Sequence, residues 1–207
     1  MNQKTISLIL WPVIIILAYF VVKSPLNQIS FEKDFNERKK EVIQNLIDIR
    51  SAQVAYKEKN KKYANDFNTL INFVKNDSLP IIKAVGEVPD SLTEEQALKA
   101  GIISRDSAFV SVYESVFSEN YLNSRESDIT FDIDQLSYVP FSDTKQRFKI
   151  EAGEIEKGKV IVQVFEVSTS YQTFMDGIDA SNKGVNMNKL ISVGSMTEAS
   201  INGNWGE

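Results

Sequence analysis

The sequence contains no cysteine and no histidine among its 207 residues. Without cysteine, the chain has no disulfides, no thiolate nucleophile and no Cys-ligated zinc or iron–sulfur site. Without histidine, it lacks the side chain that most often serves as a general base and as a transition-metal ligand. An enzyme built from this chain would have to work with carboxylates, lysine, tyrosine or serine, so most familiar catalytic arrangements are excluded.

Positive charge is also in short supply. The chain has 23 Lys and Arg residues against 28 Asp and Glu, a formal net charge of −5. Nucleic-acid binding depends on clustered Lys and Arg, and the two short basic runs here, residues 38–40 and 57–62, are typical of solvated helix faces. We therefore expect no nucleic-acid partner. A hydrophobic fraction of 43% and 10% aromatics predict a folded chain with a real core.

Charge is absent from residues 5–22, between Lys4 and Lys23. As a helix these residues would cover about 27 Å, enough for a thin hydrocarbon core. The pattern predicts a transmembrane anchor in residues 1–24, followed by one extracytoplasmic domain in residues 25–207. The membrane-facing residues are predicted to be Ile6, Leu8, Leu10, Trp11, Val13, Ile15, Leu17, Phe20 and Val22.

A cleaved signal peptide is the alternative interpretation of this segment. Signal peptides usually have a shorter apolar run, of about 7–15 residues, and a small-residue cleavage site, which does not follow here. The short polar N-terminus ahead of a large C-terminal domain favours a cytoplasmic N-terminus and a periplasmic domain. We therefore expect a single-pass protein of a bacterial inner membrane.

Residues 26–59 contain neither glycine nor proline. Apolar or aromatic residues recur every seven positions, at Phe35, Val42, Ile49 and Tyr56, which predicts a long amphipathic helix that packs through one face. Charged residues, Glu41 and Asp48 among them, are predicted to lie mostly on the opposite face. Because three residues separate this helix from the anchor, we expect one nearly continuous helix; a free coiled-coil stalk is the alternative.

The remaining residues alternate between helix and strand signals. Asn60 is a candidate left-handed cap for the long helix, and Asp66 is predicted to cap a short helix that extends to Val74. Ser91 to Glu94 match a capping box that opens a helix ended by Gly101. Strands are predicted at residues 81–85, 109–117, 136–141, 147–152 and 159–167, with a tight hairpin turn at 156–159, one or two helical turns within 171–178, and a C-terminal loop from 193.

Two segments carry a family resemblance. Residues 48–57 read Asp-Ile-Arg-Ser-Ala-Gln-Val-Ala-Tyr-Lys, and residues 60–70 read Asn-Lys-Lys-Tyr-Ala-Asn-Asp-Phe-Asn-Thr-Leu. Together with the anchor, the spine helix and the late antiparallel strands, they resemble the type IV pilin and type II secretion pseudopilin plan. The C-terminal half also resembles uncharacterised envelope proteins of Gram-negative bacteria, which implies no activity.

The resemblance implies a fold and a role. The fold would be α+β: a single N-terminal transmembrane helix that continues into a long amphipathic helix packed on a small antiparallel β-sheet. The role would be that of a structural component of a secretion or appendage-assembly complex. The chain departs from the family pattern because its apolar run contains no acid and no Gly-Phe-Thr-Leu-x-Glu block. The resemblance therefore leaves prepilin-peptidase processing and polymerisation open.

Acidic residues near two turns are the candidate chemical sites. Asp132, Asp134 and Asp143 lie around one predicted strand, and Asp176 and Asp179 flank Gly177. Alternating aspartates can bind calcium, but the glycine and bidentate glutamate of an EF-hand loop are missing, so turn capping is the better interpretation. Paired carboxylates also serve glycosidases, yet no aromatic platform accompanies them. We predict no catalytic residue, no cofactor, no metal and no small-molecule substrate.

The apolar stripe of the long helix is the remaining candidate for function. Ile29, Phe35, Val42 and Leu46 are predicted to contact envelope proteins, pilin-like subunits or a second copy of the chain, because an exposed apolar seam is costly in water. The alternative is that the sheet of the same chain covers them. A pilin-like structural component is thus the first functional hypothesis, a tethered scaffold unrelated to pilins the second, and a carboxylate-based hydrolase the third.

Overall fold

The computed structural model describes residues 3–85, 89, 92–181 and 183–206; for residues 3–9, 18–26, 81–85 and 104–107 it describes the backbone alone. The architecture is α+β, with one long helix and two small antiparallel sheets. The helices are α1 Gln3–Asn60, α2 Phe67–Asn76, α3 Glu94–Lys99, α4 Val112–Val116, α5 Glu119–Ser124 and α6 Tyr171–Phe174. The strands are β1 Ser78–Val85, β2 Ser104–Ser111, β3 Lys149–Lys157, β4 Val160–Ser170 and β5 Leu190–Gly194.

Helix α1 is continuous over 58 residues, about 87 Å at the α-helical rise. It passes through Pro12 and Pro25 without a break, so the predicted continuity of the two segments is confirmed. The left-handed residue that follows the helix is Lys61, with φ 62°, one position later than predicted, and its N–H bonds to the carbonyl of Lys57 at 2.8 Å. Within the described part of the chain, no helix is both long and apolar enough to cross a membrane.

The chain turns back on α1 through a buried glutamine. The Gln53 side chain is fully buried; its amide nitrogen donates to the carbonyl of Ala64 at 2.8 Å and its oxygen accepts from the Ala64 N–H at 2.9 Å. Tyr56 packs edge-on against Phe73 of α2, and Tyr63 packs against Phe165 of β4. These contacts fix how the segment after α1 folds back along it.

Asp66 caps α2 as predicted. Its carboxylate accepts hydrogen bonds from the backbone N–H of Thr69 at 2.8 Å and from the Thr69 hydroxyl at 2.7 Å. The bond from the backbone N–H is the main reason that the pKa of Asp66 lies below its usual value. Leu70 and Val74 of this helix are fully buried.

We expect Asp66→Ala to lower the free energy of unfolding by about 1 kcal/mol, because the first turn of α2 loses its cap. The lowered pKa means that this stability is present above the ordinary carboxyl pKa and is lost as the pH falls through the folded-state value. Urea unfolding of both proteins at pH 7 and pH 3 checks this. The gap between them should shrink at pH 3, and an equal gap at both pH values would contradict the capping role.

The two sheets are antiparallel. In the first, β1 pairs with β2 from Ser78↔Ser111 to Val85↔Ser104, and in the second β4 lies between β3 and β5. The β3–β4 connection is a two-residue turn with positive φ at Gly158 and Lys159, which confirms the predicted hairpin. Strand β5 pairs with the C-terminal half of β4. Its last two residues, 193 and 194, were predicted to belong to a loop, and that prediction is wrong.

Three local predictions are wrong. The predicted strand 109–117 ends at Ser111, whose hydroxyl accepts from the N–H of Glu114 and opens α4. Residues 136–141 form no strand; they follow a 3₁₀ turn and make a single bridge, Tyr138↔Arg147. The capping box of α3 is Thr93 with Gln96. Ser91, the predicted cap, lies outside the described residues.

The core lies between the second half of α1 and the three-stranded sheet, with α2, α4 and α6 closing its sides. It combines aliphatic residues of α1 with aliphatic and aromatic residues of the opposing elements. Its fully or almost fully buried residues include Val42, Leu46, Ile49, Ala52, Leu70, Val74, Phe117, Phe165, Val167, Phe174, Ile191 and Val193. Because the domain covers this half of α1, the chain is not a free coiled-coil stalk.

Candidate functional site

The four predicted interface residues fall into two groups. Val42 and Leu46 have no exposed surface, so the prediction that they contact a partner is wrong: the sheet and helices of the same chain already cover them. Phe35 is half-buried, with its ring 5.2 Å from that of Tyr171. Ile29 has 62% of its surface exposed. Of this set, Ile29 is the residue most available to another molecule.

The predicted anchor carries the most exposed apolar surface. Residues 10–17 are exposed on all sides of α1, with Leu10 at 52%, Trp11 at 64% and Ile15 at 63%. Val13 and Leu17 are exposed as well, and the side chains of Ile6, Leu8, Phe20 and Val22 lie outside the described ones. A helix that is apolar all round is stable only when lipid or protein surrounds it.

Three of the five acidic residues near the two turns have partners within the chain. Asp132 accepts from the N–H of Asp134 at 2.9 Å, and Asp134 in turn contacts Lys75 at 2.7 Å. Asp179 accepts from the N–H of Ser181 at 2.9 Å, and its hydrogen bonding to Ser181 lowers its pKa. Across the described residues, no group of three or more acids could hold a metal ion. The structure thus places Asp132 and Asp179 as turn caps, in line with the preferred interpretation.

A buried charge cluster joins α1 to the segment after α4. The carboxylate of Asp48 has no exposed surface and accepts from the Arg125 guanidinium at 2.9 Å, the Tyr121 hydroxyl at 2.7 Å and the Gln44 amide at 3.0 Å. The Arg125 side chain is 8% exposed, and its remaining nitrogen donates to the carbonyl of Ile129. This ion pair is therefore almost completely removed from water.

Glu41 and Gln44 extend the same attachment toward the anchor. Glu41 accepts from the N–H of Asp128 at 2.8 Å and from the Ser127 hydroxyl. Gln44 accepts from the N–H of Glu126 at 3.0 Å. Positions 41, 44 and 48 lie on one face of a helix. We call Glu41, Gln44 and Asp48 the α1 clamp, because together they hold residues 121–128 against α1.

The prediction that Glu41 and Asp48 lie opposite the apolar stripe is wrong, since both are buried beside it. A seven-residue repeat locates the centre of the apolar stripe on the helix. It does not show how much of the helix surface on either side of the stripe is covered by other segments of the same chain. The partners of the clamp lie more than 70 positions away in sequence. The one signal in the sequence is that each acid immediately precedes a stripe residue: Glu41 precedes Val42, and Asp48 precedes Ile49.

The titration of the cluster follows from its burial. Burial raises the pKa of Asp48 above its usual value, against the opposing hydrogen bonds from Tyr121 and Arg125. Burial also raises the pKa of Tyr121, and the negative charge of Asp48 adds to the effect. Such shifts are frequent in active sites. Here every buried polar side-chain atom of the described residues has a hydrogen-bond partner, so the polar groups of the cluster are already engaged within the chain.

We expect the wild-type protein to lose stability above pH 10 more steeply than Tyr121→Phe. The pKa of Tyr121 is higher in the folded than in the unfolded chain, so its contribution is complete below about pH 10 and is lost as the pH rises toward the folded-state value. Urea unfolding of both proteins at pH 8 and pH 10.5 measures the difference. Parallel losses of unfolding free energy would contradict a raised pKa at Tyr121.

A cleft of about 240 Å³ opens next to the clamp, between α1, residues 125–132 and the loop 138–145. Ile129, Phe131 and Tyr138 give it an apolar lining, and Lys145 stands at its rim. Its two acids are Glu41, which belongs to the clamp, and Asp132, which caps a turn. The cleft thus offers shape for an apolar side chain and no carboxylate free of an internal partner.

Comparison of the chain with protein families, with curated proteins and with solved structures gives no match. Any proposal about function must therefore be argued from the structure of this chain itself. The relevant features are the exposed apolar end of α1, the exposed Ile29, and a domain whose buried acids are already engaged.

Proposed function

We propose that this chain is a non-enzymatic, pilin-like structural component of a cell-envelope secretion or appendage-assembly complex, which acts through protein contacts. One observation carries the proposal: a single 58-residue helix has an uncovered apolar stretch at one end and is the spine of an α+β domain at the other. This arrangement suits a part that must be held at a membrane and present a folded domain to its neighbours.

In this proposal residues 5–22 are the membrane anchor. They carry no charge, and residues 10–17 are exposed on every side of the helix. The anchor places the protein in the inner membrane, with its N-terminus in the cytoplasm and residues 25–207 in the periplasm. Its partners are the lipid bilayer and other envelope proteins, among them pilin-like subunits or further copies of the chain.

The non-enzymatic role is supported by what the polar groups do. The buried acids Glu41 and Asp48 hold the chain together, and Asp132, Asp134 and Asp179 cap turns or pair with lysine. The sequence supplies neither histidine nor cysteine as an alternative base or nucleophile. The proposal therefore assigns no cofactor, no metal and no small-molecule substrate.

Site-specific cross-linking at Ile29 tests the structural role. The chain has no cysteine, so Ile29→Cys introduces a single reactive site on the exposed side of α1. Val160→Cys is the matched control, since Val160 at the β3–β4 turn is equally exposed, at 61% against 62%. In intact cells we expect Ile29→Cys to form a dimer or an adduct with an envelope protein.

The outcomes separate the candidate roles. Adducts of the chain with itself or with pilin-like subunits would support the pilin-like role. An adduct only with an unrelated envelope protein would favour the second candidate, a membrane-tethered scaffold or binding module, which the absence of an acid in the apolar stretch also favours. No adduct at Ile29 beyond that seen at Val160 would count against both.

A further inference from the structure

The domain begins to contact α1 very close to the proposed anchor. The Lys183 ammonium donates to the carbonyl of Asn27 at 3.0 Å and lies 5.7 Å from the ring centre of Phe31. Phe31 is only 3% exposed, so the domain already covers one face of the helix at this point. The helix is unbroken between the apolar stretch and these contacts.

The spacing along the helix sets the height of the domain above the membrane. From Val22, the last residue of the uncharged stretch, to Asn27 is five residues, about 7–8 Å at the α-helical rise. The headgroup layer on each side of the hydrocarbon core is about 5–8 Å thick. A single helix of another protein has a diameter of about 10–12 Å. The gap therefore has room for lipid headgroups and too little for a layer of protein.

The domain reaches this level through Lys183, in the loop after α6. We call residues 177–181 and 183–189 the base loop. Its apolar members Ile178, Val185 and Met187 are half-buried and pack against the core. Its most exposed side chains are polar and of both charge signs, including Asp179, Ser181, Asn186, Asn188 and Lys189. Such a surface suits the phosphate and ammonium groups of hydrated phospholipids, whereas it would be costly against hydrocarbon.

We infer that the base loop lies on the phospholipid headgroups of the bilayer that holds α1, so that the domain is seated on the membrane surface. The inference rests on the proposed function, because it takes residues 5–22 as the anchor. The α1 clamp strengthens it, since buried contacts bind the domain to the helix. The membrane surface thus fixes the orientation in which the domain meets its neighbours.

Fluorescence quenching in vesicles tests the seating. Ser181→Cys in the base loop and Asn60→Cys at the far end of α1 each give the full-length chain one labelling site, and both positions are exposed. Asn60 lies about 57 Å along the helix from Val22. Each labelled chain is reconstituted in phosphatidylcholine vesicles that contain phosphatidylcholine with a nitroxide on its headgroup. We expect the label at Ser181 to lose most of its fluorescence and the label at Asn60 to lose almost none.

A third variant keeps the inference separate from the proposed anchor. Ile14→Cys, labelled in the apolar stretch, is read with a nitroxide on the acyl chain. Quenching at Ile14 together with equal, weak quenching at Ser181 and Asn60 would overturn the seating and leave the anchor intact. Absence of quenching at Ile14 would overturn the anchor, and the seating with it.

Discussion

Arg125→Met should lower the free energy of unfolding by about 3–5 kcal/mol, because it leaves the Asp48 carboxylate buried without its cation. Methionine keeps much of the arginine stem, so the change removes the charge and the hydrogen bonds rather than the packing. Urea or guanidinium unfolding at pH 7 measures the loss. The loss should be smaller at pH 5 than at pH 8. Arg125 opposes the rise in the pKa of Asp48, so its removal raises that pKa further, and the folded variant can relieve its buried charge by taking up a proton as the pH falls.

A double variant gives the control for this prediction. Asp48→Asn combined with Arg125→Met removes both charges, and the new amide keeps hydrogen-bonding capacity toward Tyr121 and Gln44. We expect the double variant to be more stable than Arg125→Met alone, as is usual when a buried charge loses its counter-ion and is then itself removed. A loss below about 1 kcal/mol for Arg125→Met would place this pair with ordinary surface ion pairs.

Leu46→Ala should lower the free energy of unfolding by about 3–5 kcal/mol. The reason is that Leu46 is fully buried, so its removal leaves a cavity between α1 and the rest of the domain. The same substitution at an interface residue would weaken a partner contact and leave the isolated domain's stability almost unchanged. Thermal or denaturant unfolding of the purified chain therefore separates a core role from an interface role.

Ile29→Ala is the matched control for Leu46, because it trims a similar side chain from the exposed face of the same helix. We expect it to change the free energy of unfolding by no more than about 0.5 kcal/mol. It should instead reduce the contacts detected by cross-linking. Equal losses of stability at Leu46 and Ile29 would mean that the division of the stripe into a core and an exposed part is wrong.

Most features that depend on short sequence distances were predicted well, with the capping box of α3 as an exception. The continuity of α1 follows from the apolar run and the seven-residue repeat, and the α2 cap follows from one aspartate three residues before a threonine that it binds. The β3–β4 turn follows from Lys157-Gly158-Lys159, since glycine readily adopts the left-handed conformation that a two-residue turn needs.

Features that depend on residues far apart in the sequence were not predicted. Phe109 to Phe117 has strand-forming composition throughout, yet Ser111 caps a helix once α4 can pack on α1 and α2. Strand β5, Leu-Ile-Ser-Val-Gly, was missed because its last two residues were assigned to the loop of the Gly- and Asn-rich segment that follows it. Gly194 has a positive φ of 76°, and an added Cβ there would lie 2.3 Å from the carbonyl oxygen of Phe165. Glycine at this position therefore allows the close approach of two strands.

The candidate site shows the same division. The exposed apolar end of α1 could be read from composition alone. The burial of Val42, Leu46 and Asp48 could not be predicted, because the residues that cover them belong to segments far along the chain. The local sequence pattern is the same for a stripe that faces the sheet of its own chain and for one that faces a partner.

The most direct test of the account is the membrane attachment of the full-length chain in a Gram-negative cell. After alkaline carbonate extraction of the membranes, the chain should stay in the pellet, and protease added outside spheroplasts should degrade the domain. Ile14→Lys combined with Ile15→Lys places two charges in the apolar stretch and should release the chain into the soluble fraction. Recovery of the wild-type chain in the carbonate supernatant, or protection of its domain from external protease, would contradict an anchored periplasmic protein.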